Sequence, residues 1–308
     1  MIRFTARRLA QAAGVVLAAY TFTFAVFYLL PADPVRIMIG PENAVDEARV
    51  AALRAEYGLD RPAAERYLGG LFDALRGDFG TSFQTGRDVA AMIAEAAPRT
   101  LALAGAALLV AVPFGFAIAW WAAHTRRVWL RRLLGALPGL SLSVPTFWLG
   151  LMLLQAFSFG WPLFPARAED GAAALVLPAV TLAVPSSAFV AQVLLERLTG
   201  EMRQPYVDTA RAKGASRARA VTAHALRNAA MPALTMTALL VGWLVSGSVV
   251  VETVFARNGI GRLIESAVIA RDLPVLQALV VVTTAAVTLL TLAVDVVHPL
   301  VDPRERVA

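Results

Sequence analysis

The sequence has no cysteine and only three histidines among its 308 residues. Disulfides and thiolate nucleophiles are therefore excluded, although the absence says little about compartment. His124, His224 and His298 show no i, i+4 pairing, so no metal-ligand pattern is present. No glycine-rich loop ends in Lys-Ser or Lys-Thr, which removes the usual cradle for nucleotide phosphates. Charge is sparse as well, at 16% of residues against 58% apolar. The long apolar runs contain no Asp, Glu, Lys, Arg or His at all. Ion-coupled pumps place ionisable groups at membrane depth, and an intramembrane hydrolase needs a nucleophile with a base or paired carboxylates in reach. Serines without such partners supply neither. If ATP drives any process here, the energy must arrive from another polypeptide.

What is present is apolar length. Six runs meet or approach the ~20 residues a helix needs to cross the hydrocarbon layer. They are Leu9–Leu30, Thr100–Ala123, Leu133–Gly160, Gly171–Leu195, Ala229–Val251 and Leu273–Val294. A membrane barrel would instead show short alternating segments. The fold class expected is an all-α polytopic membrane protein with six transmembrane helices. The first run resembles a signal peptide, but it is long and ends in Leu30-Pro31-Ala32-Asp33 without a small-residue cleavage pattern, so a retained span is expected.

The net charge of +6 raises the question of nucleic acid, and its placement answers it. Arg3, Arg7 and Arg8 lie in the arm 1–8. Four arginines fall in the loop 124–132, and seven basic residues fall in 196–228. The opposite loops, 161–170 and 252–272, hold four between them. This is the positive-inside bias, which predicts that the arm, the tail 295–308 and the loop around Gly214 lie in the cytoplasm. No nucleic-acid partner is needed.

Residues 31–99 form the expected extracytoplasmic segment, with eleven acids against seven arginines in 31–98. Val45, Ala48, Ala52 and Leu53 are spaced for one helix, stopped at Gly58. Tyr67, Leu68, Leu71, Phe72 and Leu75 share a face of a second, entered through Pro62 and stopped by Gly77. Asp88 is placed to cap a third, carrying Val89, Met92, Ile93 and Ala96. Such helices either pack on the protein's own outer rim or serve as a docking or gating element. Prolines 113, 138, 145, 178, 185 and 232 predict kinks within the spans, in a tight bundle or around a path that opens and closes. Ser141, Ser143, Gln192, Thr235 and Ser246 are candidates to line a path, because polar groups in uncharged spans should face a bundle interior.

The loop at 196–228 is unlike a plain connector. Pro205 opens a helix whose apolar edge is Tyr206, Val207 and Ala210. Gly214 suits a sharp turn with positive φ. Ser216 is a plausible cap for a second helix carrying Ala218, Val221, Thr222, Ala225 and Leu226. Flanked by Arg211, Lys213, Arg217 and Arg219, it fits a groove on a soluble partner and an anionic lipid surface equally well.

The run Tyr206-Val207-Asp208-Thr209-Ala210-Arg211-Ala212-Lys213-Gly214, with His224-Ala225-Leu226-Arg227-Asn228-Ala229 and Pro232, resembles the cytoplasmic loop of permeases from dipeptide/oligopeptide-type ABC importers. Asp208-Thr209-Ala210 stands where the wider class carries Glu-Ala-Ala. Similar blocks occur in family order: Asp33-Pro34-Val35, Tyr57 to Pro62, Gly77 to Ser82, Pro98 to Leu101, Ser143 to Phe147, Val250 to Phe255, Gly259 to Gly261, Arg271 to Val275, Val294-Asp295 and Asp302 to Arg306. Asn258, Ala278 and His298 depart from proline, glycine and tyrosine.

The resemblance implies a type I importer half without a catalytic site of its own. A second homologous permease, two ATP-binding subunits and an extracytoplasmic binding protein would be its partners, beside membrane lipids. No cofactor is expected on this chain, with ATP and Mg on the ATPase subunits. Tyr206, Val207, Asp208, Thr209, Ala210, Arg211, Lys213, Gly214, Ser216 and Leu226 would form the coupling element, and the cargo would be di- or oligopeptides. The same family also carries nickel, metal chelates and glutathione. An ion-coupled secondary carrier and a lipid-facing scaffold are the readings from other classes.

Overall fold

The computed structural model describes residues 2–29, 47–56, 58–167 and 171–301. Within them, the side chains of 2–5, 29, 49, 53, 56, 231–239, 241 and 294–301 are not described. The blocks Asp33-Pro34-Val35 and Asp302 to Arg306, and Val45, fall outside the described residues. The described chain is helical, with an isolated bridge between Thr81 and Asp88 and no strand. It divides into two compact units, Met1–Pro98 with Arg262–Leu292 and Arg99–Gly261 with Ala293–Ala308.

In chain order the helices are α1 (Ile2–Leu29), α2 (Glu47–Glu56), α3 (Ala63–Leu75), α4 (Val89–His124), α5 (Val128–Ser143) and α6 (Thr146–Leu154). After these come α7 (Ala172–Glu201), α8 (Pro205–Ala212), α9 (Leu226–Val254), α10 (Ile260–Ala270) and α11 (Leu273–Val301). Ala6–Tyr28, Val89–His124, Ala172–Glu201 and Leu273–Ala293 are long and apolar enough to cross a membrane. A bent pair, Val128–Ser143 with Thr146–Gly160, makes up to a fifth. The run expected at 229–251 lies in α9, partly among side chains that are not described.

Two predicted elements differ. The third outward helix and the second span are one 36-residue helix, α4. Asp88 does cap it, accepting from Ala91 N at 2.8 Å, but Pro98 does not end it. An apolar helix on both sides of a proline holds the axis through one missing donor. The run 133–160 is broken rather than continuous: α5 and the helix after it meet at 96°. Pro145 disfavours the α conformation in its predecessor, and Val144 sits at φ −88, ψ 121.

In the first unit, α1 packs on α3 through aromatic rings. Tyr20 lies 5.3 Å from Tyr67 between ring centroids, and its hydroxyl donates to the Tyr67 carbonyl at 2.9 Å. Gly70 leaves room for that ring, since a Cβ there would stand 2.8 Å from the Tyr20 hydroxyl and push its tip aside. The Gly77–Ser82 stretch is tied to the start of α11: Ser82 Oγ donates to Asp272 Oδ2 at 2.5 Å, and Phe83 N to Asp272 Oδ1 at 3.1 Å. The same unit encloses a cavity of about 620 Å³ between the end of α1, the outward helices and α11.

In the second unit α4, α7 and α9 pack face to face. Leu103, Ala107 and Ala111 of α4 meet Leu177, Leu182 and Ala183 of α7, and Leu244, Val251 and Phe255. Small residues permit the close approach: a Cβ at Gly115 would lie 2.7 Å from the Ser187 carbonyl. Pro178 and Pro185 sit inside α7 without breaking it. Thr181, Ser186 and Ser187 return their hydroxyls to carbonyls three or four residues back. Leu101, Leu109 and Phe114 remain exposed, as residues facing lipid would be.

Candidate functional site

The Gly214 loop begins with α8, which has Pro205 in its first turn, the place where a missing N–H costs nothing. Gly214 follows at φ +89, a conformation that strains residues bearing a Cβ. Ser216 caps the next turn, accepting from Arg219 N at 3.3 Å. That turn, Arg217–Arg219, runs through a π-helical segment, Ala220–Ala225, straight into α9. The second helix expected over Ser216–Leu226 is thus the root of the following span rather than a separate arm.

The apolar edge also points elsewhere than expected. Val207, Val221 and Ala225 are completely buried. Val221 and Ala225 join Ala119 and Ala123 of α4, and Leu194 and Leu198 of α7, in one cluster. Arg217 fastens the same region, donating through Nη2 and Nε to the Ala123 carbonyl at 2.8 and 3.2 Å. Desolvation, then the like charges of Arg211, Arg131 and Arg126, hold its guanidinium below the ordinary arginine range. Tyr206 is 38% exposed and donates to Glu201 Oε2 at 2.5 Å while accepting from Asn228 Nδ2 at 3.1 Å. Burial, with that donated bond, pushes the phenol up from its usual value. Asp208, Thr209, Arg211, Lys213 and Gly214 face outward; Ala210 and Leu226 are half-buried. Ser216 is exposed.

The candidate path residues differ in exposure. Ser143 and Ser246 are exposed and bond back to Gly139 and Gly242 carbonyls at 2.9 and 3.2 Å. Gln192 is exposed and Ser141 half-buried. The Thr235 side chain lies outside the described residues.

One polar centre escaped the sequence reading. Glu252 lies inside α9 and is fully buried. Its carboxylate accepts from Thr100 Oγ1 at 2.6 Å and from Gly261 N at 2.7 Å. The Thr100 hydroxyl accepts in turn from Ile260 N at 2.8 Å. Arg257 Nη2 reaches the Arg99 carbonyl, and Arg99 Nη1 the Asn258 carbonyl, both at 3.4 Å. A Cβ on Gly259 would collide with the Glu252 carboxylate, and one on Gly261 with the Val249 backbone. The blocks that hold these residues were visible; nothing local to either marks them as partners. Among the described residues no group of three or more His, Cys, Asp or Glu could hold a metal ion.

Comparison with known proteins gives these features a setting. Residues 88–307 match the family described as binding-protein-dependent transport system inner membrane component, and 1–104 match that family's N-terminal region. The chain is 36% identical over 306 residues to the glutathione transport system permease protein GsiC of Salmonella typhimurium, covering 99% of each. It is 34% identical over 310 residues to a Brucella abortus protein named "Putative peptide transport system permease protein", covering 97% of this chain and 98% of that one. A solved amino acid ABC transporter with histidines superposes with a TM-score of 0.53 at 17% identity, over 69% of this chain and 94% of that chain.

Proposed function

Because the chain belongs to the inner-membrane components of binding-protein-dependent transport systems, the permeases of ABC importers, we propose that it forms half of a translocation path for small peptides. It is a multi-pass inner-membrane protein. Its termini and the Gly214 loop face the cytoplasm in this reading, on the strength of the basic bias. A second permease completes the path. A binding protein delivers the cargo, and two ATPase subunits hold ATP and Mg. The chain itself carries no catalytic site.

The observation that carries the coupling role is the two-sidedness of the Gly214 loop. Its outward edge is Asp208, Thr209 and Lys213, while Val207, Val221 and Ala225 are buried. A push on the outward edge therefore reaches α4, α7 and α9 through packed side chains instead of dissipating in a flexible linker. Two such loops drawn together by closing ATPases would rock the spans and exchange access from one side to the other. No charge inside the spans is required for this motion.

Deleting Lys213–Ala215 is expected to abolish substrate-stimulated ATP hydrolysis in the assembled transporter, with the chain still in the membrane. Full stimulation in that variant would overturn the role. Uptake by this chain alone, driven by an ion gradient and indifferent to ATP, would make it a secondary carrier. The glutathione permease relative favours a specific second cargo, the tripeptide glutathione. Mass spectrometry of the ligand held by the partner binding protein separates that tripeptide from ordinary dipeptides and oligopeptides.

A further inference from the structure

Where α4 ends, the chain collects positive charge from two separate stretches. Arg126 follows the helix end at His124, and Arg131 lies one turn into α5. Arg217 reaches back from the Gly214 loop onto the Ala123 carbonyl, and after desolvation the groups that act on it are the like charges of Arg211, Arg131 and Arg126. Among the described residues none of these four guanidinium groups forms an ion pair with a carboxylate. Four like charges held together without a counter-charge leave an anion to be supplied from outside the chain.

The surroundings say which anion. The cluster sits at the end of an apolar helix long enough to cross a membrane. Trp121 lies five residues before Arg126 and Trp129 two before Arg131, and they are 57% and 61% exposed. Exposed indoles at a span end occupy the headgroup level of a bilayer. A soluble phosphate would gain nothing from these rings, whereas a lipid places its phosphate beside arginines and its glycerol and chains beside indoles. Arginine's fork suits phosphate oxygens, and basic pockets between membrane helices on the inner face hold anionic headgroups.

The geometry points to a binding site for an anionic phospholipid headgroup of the inner leaflet, formed by Arg126, Arg131, Arg211 and Arg217 and flanked by Trp121 and Trp129. A headgroup with two phosphates, of the diphosphatidylglycerol kind, matches the four charges best. The bound phosphate offsets the repulsion around Arg217 and so holds that side chain on Ala123, joining lipid occupancy to the rigidity of the Gly214 loop. The leaflet assigned rests on the orientation proposed above; the site itself does not depend on the ATPase partners.

The test is native mass spectrometry of the full-length chain, released from micelles containing either diphosphatidylglycerol or phosphatidylcholine. The wild type is expected to retain diphosphatidylglycerol selectively. Arg126→Gln with Arg131→Gln should weaken that retention by roughly tenfold or more, with each single variant intermediate. The charge-matched variant Arg61→Gln with Arg66→Gln, in the outward segment, should retain lipid as the wild type does. Inorganic phosphate should not displace the lipid. Equal loss in both double variants, or equal retention of the two lipids, would overturn the site. Displacement by inorganic phosphate would overturn its assignment to lipid. Undiminished lipid retention by the Arg126/Arg131 variant together with lost ATPase binding would make the patch a protein-docking surface instead. Circular dichroism identifies a misfolded double variant, and the single variants then decide. Because lipid is counted on the isolated chain, failure of the coupling role leaves this result readable.

Discussion

Thr100 Oγ1 donates to Glu252 Oε1 at 2.6 Å, joining residues 152 apart in sequence. The same hydroxyl accepts from Ile260 N at 2.8 Å, so one threonine serves both a buried carboxylate and the turn that follows it. A carboxylate removed from water keeps its charge cheaply only when donors surround it. Here they come from a side chain and from the Gly261 backbone.

Replacing that donor is the direct test. Thr100→Val keeps the shape, removes the hydroxyl and leaves Ile260 N–H without its acceptor. Loss of stability by about 2 to 3 kcal/mol is expected. Thr100→Ser should retain most of it. Thermal unfolding in detergent, followed by tryptophan fluorescence, reads the difference; equal midpoints for valine and threonine would contradict the network's importance.

The two glycines beside the carboxylate have no room for a methyl group. Gly259→Ala and Gly261→Ala should each destabilise by about 1 to 3 kcal/mol through overpacking. Gly105 in α4 has nothing within 4 Å of a built Cβ. Gly105→Ala is accordingly expected to be neutral or to gain up to about 1 kcal/mol. The contrast in melting temperature between these variants is the measurement.

Ala256 sits at φ 52, directly after α9, where a side chain strains the backbone. Its amide donates to the Thr253 carbonyl at 3.2 Å, as at the end of a helix that favours glycine. Ala256→Gly should stabilise by about 0.5 to 1 kcal/mol, the relief of strain being partly offset by a looser unfolded chain. A lower midpoint than the wild type would count against this account.

The Tyr206 phenol has its pKa raised above 10, first by burial and then by its bond to Glu201. A group whose pKa is higher folded than unfolded adds stability below its unfolded value and loses it as pH rises through the folded one. The protein should therefore lose that contribution above about pH 10. Tyr206→Phe should abolish this part of the pH dependence while leaving the profile near neutrality flat. Stability against pH, for both proteins in the same detergent, checks it.

Span-forming helices, the basic bias and the bend at Gly214 were legible because each rests on short-range chemistry. Apolar length, charge beside a span and the freedom of glycine can all be read without knowing where the chain goes next. Family membership was legible from the order of motif blocks. The loop's orientation was less so. Tyr206, Val207 and Ala210 do form an apolar edge, but periodicity cannot say whether such an edge packs inward or meets a partner, and Val207 is buried within the protein.

By itself, the sequence determined that this is a helical membrane protein with a structured basic loop and no chemistry of its own visible inside the spans. Only the tertiary structure decided which motif blocks serve one another. Ser82 meets Asp272 across 190 positions, and Thr100 meets Glu252 across 152. In one dimension Glu252 is a charge at the end of an apolar run, the place where water is expected. The folded chain buries it completely, and a buried carboxylate is tolerable because Thr100 arrives from far along the chain and the Gly261 amide turns back nine residues on to donate to it.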